Sequence, residues 1–254
     1  MNSPLQLVWA LGLMAIAIAL SVWQKLGLEG KLAMATGRTV LQLSVVGYVL
    51  AIVFEFKNPL LVLLVVGVML VVATIVARNR ISQKIPRLIP LVGGSILTAT
   101  ALTLLYTNLL VFQPPSWYDP QYLIPLAGIV LGNAMNGAAI AGERLVSTLN
   151  SSQLEIETHL SLGATPQQAV AQYRREAIKA GLIPTINTMM VVGLVTLPGI
   201  MTGQLLSGVN PLIAAAYQAV IIFMLACATL MTTLLVTTGL CRQHFNQFAQ
   251  LQLW

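Results

Sequence analysis

Several groups of residues in this 254-residue chain have types and spacings that could do chemistry. Glu157 stands six residues before Gly163 in Glu157-Thr-His-Leu-Ser-Leu-Gly163-Ala164-Thr165-Pro166. This is a short amphipathic piece with a carboxylate near one end and a helix-closing glycine at the other, a form suited to docking on a partner. Pro166 is expected to keep the helix from resuming. Asn133, Asn136, Ile140 and Glu143 recur at helical spacing, so two carboxamides and a carboxylate share one stripe. In apolar surroundings such a stripe serves either interhelical hydrogen bonding or the lining of a translocation path. Asn187 and Met190, one turn apart, and Gln218 extend the candidate path, and Pro184 frees a backbone carbonyl for a cation or water. The run Leu197-Pro198-Gly199-Ile-Met201-Thr202-Gly203-Gln204 interrupts an apolar stretch early. It reads either as a short apolar surface turn or as a segment dipping back into a membrane. Irregular backbone at that depth is tolerated only when buried in protein or lining a cavity, so Pro198, Gly199, Met201 and Gln204 form a candidate external gate.

Other features have simpler readings. Gly128, Gly132, Ala134, Gly137, Ala138, Ala141 and Gly142 give overlapping small-xxx-small spacings that let helix backbones approach closely. Met135, Met189, Met190 and Met201 are soft donors by type, yet methionine in an apolar helix usually fills space. The threonines 229, 232, 233, 237 and 238 can bond their own helix backbone. No phosphate-binding loop occurs: Gly30-Lys31 has Lys25 where the first glycine belongs and Leu32 where Ser or Thr belongs. His-Glu-x-x-His and Gly-x-Ser-x-Gly are absent, against a protease or hydrolase. Cys227 and Cys241 form no CxxC or Cys/His pattern, so neither a disulfide framework nor a zinc site is implied.

The elements that position these residues follow from composition. With 57% hydrophobic and 8% charged residues, the chain has too little polar surface for a soluble globule and reads as an all-α integral membrane protein. Apolar runs of about 20 residues suit helices crossing a core of about 30 Å, and they lack the alternation of barrel strands. Seven spans are expected: Pro4–Trp23, Thr39–Phe56, Pro59–Ala77, one ending at Phe112, Tyr122 to Leu145, Ala177–Pro198 and Pro211–Gly239. The second, least apolar, is expected to face protein and the third to face lipid. With no basic residue before its apolar run, the first is expected to persist as a helix rather than be cleaved as a signal peptide.

The net charge of +6 would suit nucleic acid, but its distribution points to topology. Twelve of the 13 Lys and Arg fall in alternate loops, with only Lys57 on the other side. That bias sets the N-terminus outside and the C-terminus inside, and puts Glu143 to Glu176 in the cytoplasm. The loop Gln113-Pro-Pro-Ser-Trp-Tyr-Asp-Pro120, without Lys or Arg, is then an external turn.

Gly132-Asn-Ala-Met-Asn-Gly137, the Glu157 to Ala164 piece, Ile183-Pro-Thr-Ile-Asn187 and Gly193-Leu-Val-Thr-Leu-Pro-Gly-Ile-Met-Thr-Gly-Gln204 together resemble the FetB-type iron-export ABC transporter permease family, to which the plant aluminium-tolerance membrane subunits are similar. The resemblance covers nearly the whole chain. It implies one transmembrane permease domain, 1–254, with a cytoplasmic coupling segment at about 146–176, in the cell membrane. Glu157, Gly163 and Ala164 match the coupling helix that inserts into a nucleotide-binding subunit. An ATPase partner and a second copy of this chain are implied, with ATP and magnesium on the partner and no cofactor or catalytic site here. Iron as cargo comes from the resemblance alone, since the spans hold no carboxylate and histidine cage. Two other readings stay open: an ABC exporter of an organic solute such as a nucleotide sugar, and a self-contained secondary transporter.

Overall fold

A computed structural model describes residues 4–114, 116–246 and 250–252, with the side chains of 4–8 and 10 excluded. Pro115 of the expected external loop and the C-terminal Trp254 lie outside the described residues. Among the described residues the fold is helical, apart from two isolated bridges, Val192 with Thr196 and Phe245 with Leu251. The coordinates group into two compact units, residues 1–57 and 58–254.

The first unit is a helical pair, α1 (Pro4–Trp23) and α2 (Glu29–Phe56), in mutual contact. Proline opens α1, a position where its missing N–H costs nothing. Helix α2 starts ten residues before the apolar run does, taking in Glu29, Lys31 and Arg38. It ends where Lys57 turns left-handed and donates its N–H to the Val53 carbonyl. Within α2 only Val53 is buried, and the Ser44 hydroxyl turns back to the Val40 carbonyl at 2.9 Å.

The second unit is a bundle of α3 (Pro59–Ile81), α4 (Leu88–Tyr106), α5 (Pro120–Ser151), α8 (Ala171–Val191) and α10 (Pro211–Gln243). Short helices α6 (Gln153–Ser161), α7 (Pro166–Ala169) and α9 (Gly199–Leu206) sit in its connections. Asn58, Asp119 and Asn210 each accept the N–H two residues on, and each is followed by proline at the first helical position. These caps satisfy donors that a helix start otherwise leaves unpaired. Helix α4 relaxes into a π-helical turn, Thr107–Phe112, before Gln113 turns left-handed. Helices α5 and α10 are central: α5 packs on α3, α4, α8 and α10, and α10 on α4, α5, α8 and α9.

Among the described residues, five helical stretches are long and apolar enough to cross a membrane: Glu29–Phe56, Pro59–Ile81, Leu88–Phe112, Pro120–Ser151 and Pro211–Gln243. Two of the seven expected spans fall outside this set for different reasons. In α1 the apolar stretch with described side chains is Leu11–Trp23. Helix α8 carries Arg174, Arg175, Glu176 and Lys179 in its first half, and its remaining apolar half, Ala180–Val191, reaches only about 18 Å at about 1.5 Å per residue. Conversely, α5 and α10 run past the expected ends at Leu145 and Gly239, to Ser151 and Gln243. Each is near 50 Å long, more than the apolar core requires.

Candidate functional site

The segment between α5 and α8 is built around one buried side chain. Ile156 of α6 is fully buried and belongs to the main core cluster, with Leu149 of α5, Ala169 of α7 and Val170 beside it in the same cluster. Burying an isoleucine contributes about 1.5–3 kcal/mol, enough to anchor a nine-residue helix that could not hold itself in water. The other faces of α6 are open. Leu154 and, just past its end, Leu162 are each 81% exposed, and Glu157 is exposed with its Oε1 accepting from Gln153 Nε2 at 2.7 Å.

Gly163 closes α6 as its position suggests. Its φ is +92°, a left-handed conformation that costs residues with a Cβ about 1–2 kcal/mol. The Ala164 N–H donates to the His159 carbonyl and the Gly163 N–H to the Leu160 carbonyl, both at 3.0 Å, the paired bonds of a Schellman ending. The expectation for Pro166 is corrected: it does not block a helix but starts α7 at the first position, behind Thr165, whose side chain exchanges capping bonds with Gln168. The connection is therefore a rigid series of two helices and two caps.

The small-residue stripe makes the seam where α5, α8 and α10 meet. A Cβ at Gly181 would lie 2.8 Å from the Gly137 carbonyl oxygen, 2.9 Å from Thr233 Cγ2 and 3.0 Å from Ala141 Cβ. A Cβ at Gly137 would lie 2.5 Å from Thr229 Cγ2, and one at Gly142 2.6 Å from Ile81. Gly132 has open space around it and takes no part in the close approach. Close packing is thus the role of Gly137 and Gly142, with Gly181 as a partner from α8.

No hydrogen bond joins the candidate path residues to one another among the described residues. Asn136, Glu143 and Asn187 are exposed, and Met190 is 72% exposed. Asn133 is half-buried and its amide donates to the Ile129 carbonyl of its own helix at 3.0 Å. Gln218 is buried in α10, its Oε1 without a hydrogen-bond partner among the described residues. The candidate gate is a broken helix. After α8 the chain turns at Gly193, whose φ is +79° and whose N–H donates to the Thr196 carbonyl at 2.9 Å. Pro198 then opens α9, with Gly199, Met201 and Gln204 within it, packed on α10. The half-buried Gln204 carries a second amide oxygen with no partner among the described residues.

Three features escape a reading of residue types. Arg174, counted above as a topological charge, reaches back across the bundle: its Nη2 donates to Thr238 Oγ1 at 2.7 Å and its Nε to Thr237 Oγ1 at 3.4 Å. Thr229 and Thr232 are buried with unpartnered hydroxyls, although their type predicts bonds to their own backbone; Thr237 does make one, to the Thr233 carbonyl at 2.7 Å. His244 is fully buried, and its Nδ1–H donates to the Leu240 carbonyl at 2.8 Å. Burial pushes its pKa below the ordinary histidine value, partly offset by that carbonyl. No group of three or more potential metal ligands occurs among the described residues.

Comparison with known proteins bears on this arrangement. A membrane protein of Synechocystis, slr1647, is 54% identical over 96% of this chain and 94% of its own length. The Arabidopsis protein ALUMINUM SENSITIVE 3 is 36% identical, covering 96% of this chain and 88% of its own. FetB of Escherichia coli, named a probable iron export permease, is 35% identical over 96% and 93% respectively. No solved structure matches the chain. The pattern of the family described as Uncharacterised protein family (UPF0014) matches residues 4–245, and with its long apolar helices this chain is a multi-pass membrane protein belonging to that family.

Proposed function

We propose that this chain is the membrane-spanning permease subunit of an ATP-driven ABC exporter, with iron or another metal ion as cargo. The observation that carries the reading is α6. A segment between membrane helices, anchored by one buried isoleucine, turns two highly exposed leucines and a carboxylate outward. Exposed leucines on a rigid polar segment are an unmet burial requirement, which docking on a nucleotide-binding subunit fulfils. Because only Ser152 separates α6 from α5, and the two caps join α6 to α7 and so to α8, force delivered at the docking face reaches the glycine seam directly. ATP and magnesium act on the partner chain, and the whole of 1–254 serves as one permease domain.

In this reading seven segments enter the membrane, with the N-terminus outside, the C-terminus inside and the coupling segment in the cytoplasm. The broken α8 to α9 connection supplies part of the sixth crossing. Leu194, Val195 and Leu206 there are exposed and apolar, which suits lipid or protein contact rather than water. A second copy of the chain completes the path: Asn136, Glu143, Asn187 and Met190 face outward from one protomer, so a polar lining forms only when another protomer covers them. Cargo crosses by alternating access as closure of the ATPase dimer rearranges α5 and α8. The name carried by FetB supports metal cargo and outward direction.

The test is reconstitution of this chain with a nucleotide-binding subunit in liposomes. Ferrous iron should stimulate ATP hydrolysis and move with it. Stimulation by a nucleotide sugar instead would assign organic cargo, and transport by this chain without any ATPase would replace the ABC reading by that of a secondary carrier.

A further inference from the structure

The strongest unassigned feature is a cavity of about 610 Å³ between the start of α8 and the end of α10. Three arginines line it, Arg174 and Arg175 from α8 and Arg242 from α10, and no Asp or Glu does. Arg174 is fixed by its bonds to Thr237 and Thr238. Arg175 and Arg242 make no hydrogen bond or ion pair among the described residues. The nearest carboxylate in sequence, Glu176, accepts from Gln172 instead, at 3.2 Å. Three like charges converging on one cavity repel each other, and a bound anion relieves that repulsion.

The rest of the lining decides what kind of anion. Ile178, Leu234 and Phe245 form an apolar wall continuous with the guanidinium groups, and Leu234 lies on the exposed face of a membrane-length helix. A small hydrophilic anion has no use for that wall, whereas a molecule with a charged head and an acyl tail uses both parts. Guanidinium groups pair with phosphate oxygens through two parallel N–H donors, and basic pockets at the ends of membrane helices suit anionic headgroups. We infer that this cavity binds a phosphate-bearing anion, with the headgroup of an anionic phospholipid as the occupant its lining favours. The inference rests on the cavity alone and holds whatever the chain transports.

Native mass spectrometry of the full chain, with phosphatidylglycerol and phosphatidylcholine of matched acyl chains, tests it. The wild-type protein should retain phosphatidylglycerol preferentially. The double variant R175Q/R242Q leaves the Arg174 contacts intact and, with two of the repelling charges gone, should melt no lower than wild type in lipid-free detergent, while its preference for phosphatidylglycerol falls about fivefold per arginine removed. A third arm adds millimolar inorganic phosphate. If phosphate stabilises wild type but not the variant, and the two lipids are retained alike, the site is upheld with a free phosphate as its source. Equal retention of both lipids with no phosphate effect, or a lipid preference unchanged in R175Q/R242Q, overturns the inference.

Discussion

The glycine seam and the end of α6 depend on glycine for opposite reasons. At Gly181 the backbone is ordinary helix and the surroundings forbid a side chain, since any Cβ would meet the Gly137 carbonyl at 2.8 Å. At Gly163 nothing lies within 4 Å of a built Cβ, but φ is +92°, which forbids a side chain by torsion. Neighbours across the bundle impose the first restriction and the chain's own path imposes the second. One therefore protects the fold, and the other protects the shape of a surface.

Alanine at each position separates the two. In a free helix Gly→Ala stabilises by about 1 kcal/mol, but Gly181→Ala forces α8 from α5 and Thr233, and overpacking of this kind costs about 1–3 kcal/mol. The thermal midpoint in detergent should fall, whereas Gly132→Ala, with open space at its Cβ, should hold or raise it. Equal midpoints for the two variants would break the distinction. Gly163→Ala should cost about 1 kcal/mol, confined to the end of α6. Hydrogen exchange should quicken at the Gly163 position and Ala164 amides while α5, α8 and α10 keep their protection, and transport should weaken without loss of protein.

A smaller effect belongs to His244. Its pKa is lowered in the fold, so below the unfolded value of about 6.5 the unfolded chain binds more protons than the folded one. Stability is then fully present above about pH 6.5 and declines as pH falls through the depressed folded value. Replacing His244 by Leu should flatten the dependence of the melting midpoint between about pH 5 and 7. A slope unchanged in the variant would assign it to other groups.

The same contrast governs what was legible in the sequence. Local signals carried the end of α6: Gly163 closes that helix through bonds among adjacent residues, whereas the Thr165 and Gln168 cap that lets Pro166 start α7 was not singled out. The seam was half legible. Gly137 and Gly142 stand in an obvious small-residue stripe, but Gly181 sits beyond Arg174, Arg175, Glu176 and Lys179, and its role appears only when α8 crosses α5. Helix ends were not legible, because hydropathy marks only the apolar run, whereas backbone hydrogen bonding carries α2, α5 and α10 beyond it. Arg174 was read as a topological charge because its partners, Thr237 and Thr238, lie more than 60 residues away. The outward-facing Asn136, Glu143 and Asn187 could be chosen by type, but their distribution over one protomer's surface depends on how α5 and α8 are rotated in the bundle.

The central claim is that α6 is the docking element for an ATPase, and Glu157→Lys tests it most directly. Reversing a charge at a docking surface turns attraction into repulsion that can cost several kcal/mol. The substitution lies on an exposed face and leaves the buried Ile156 beside it in place, so folding and insertion are spared. Co-expressed with its nucleotide-binding subunit, the variant should enter the membrane at wild-type yield and melt normally, yet fail to retain the ATPase on purification or to drive ATP-dependent export. Retention of the ATPase at wild-type yield together with normal export would contradict the account.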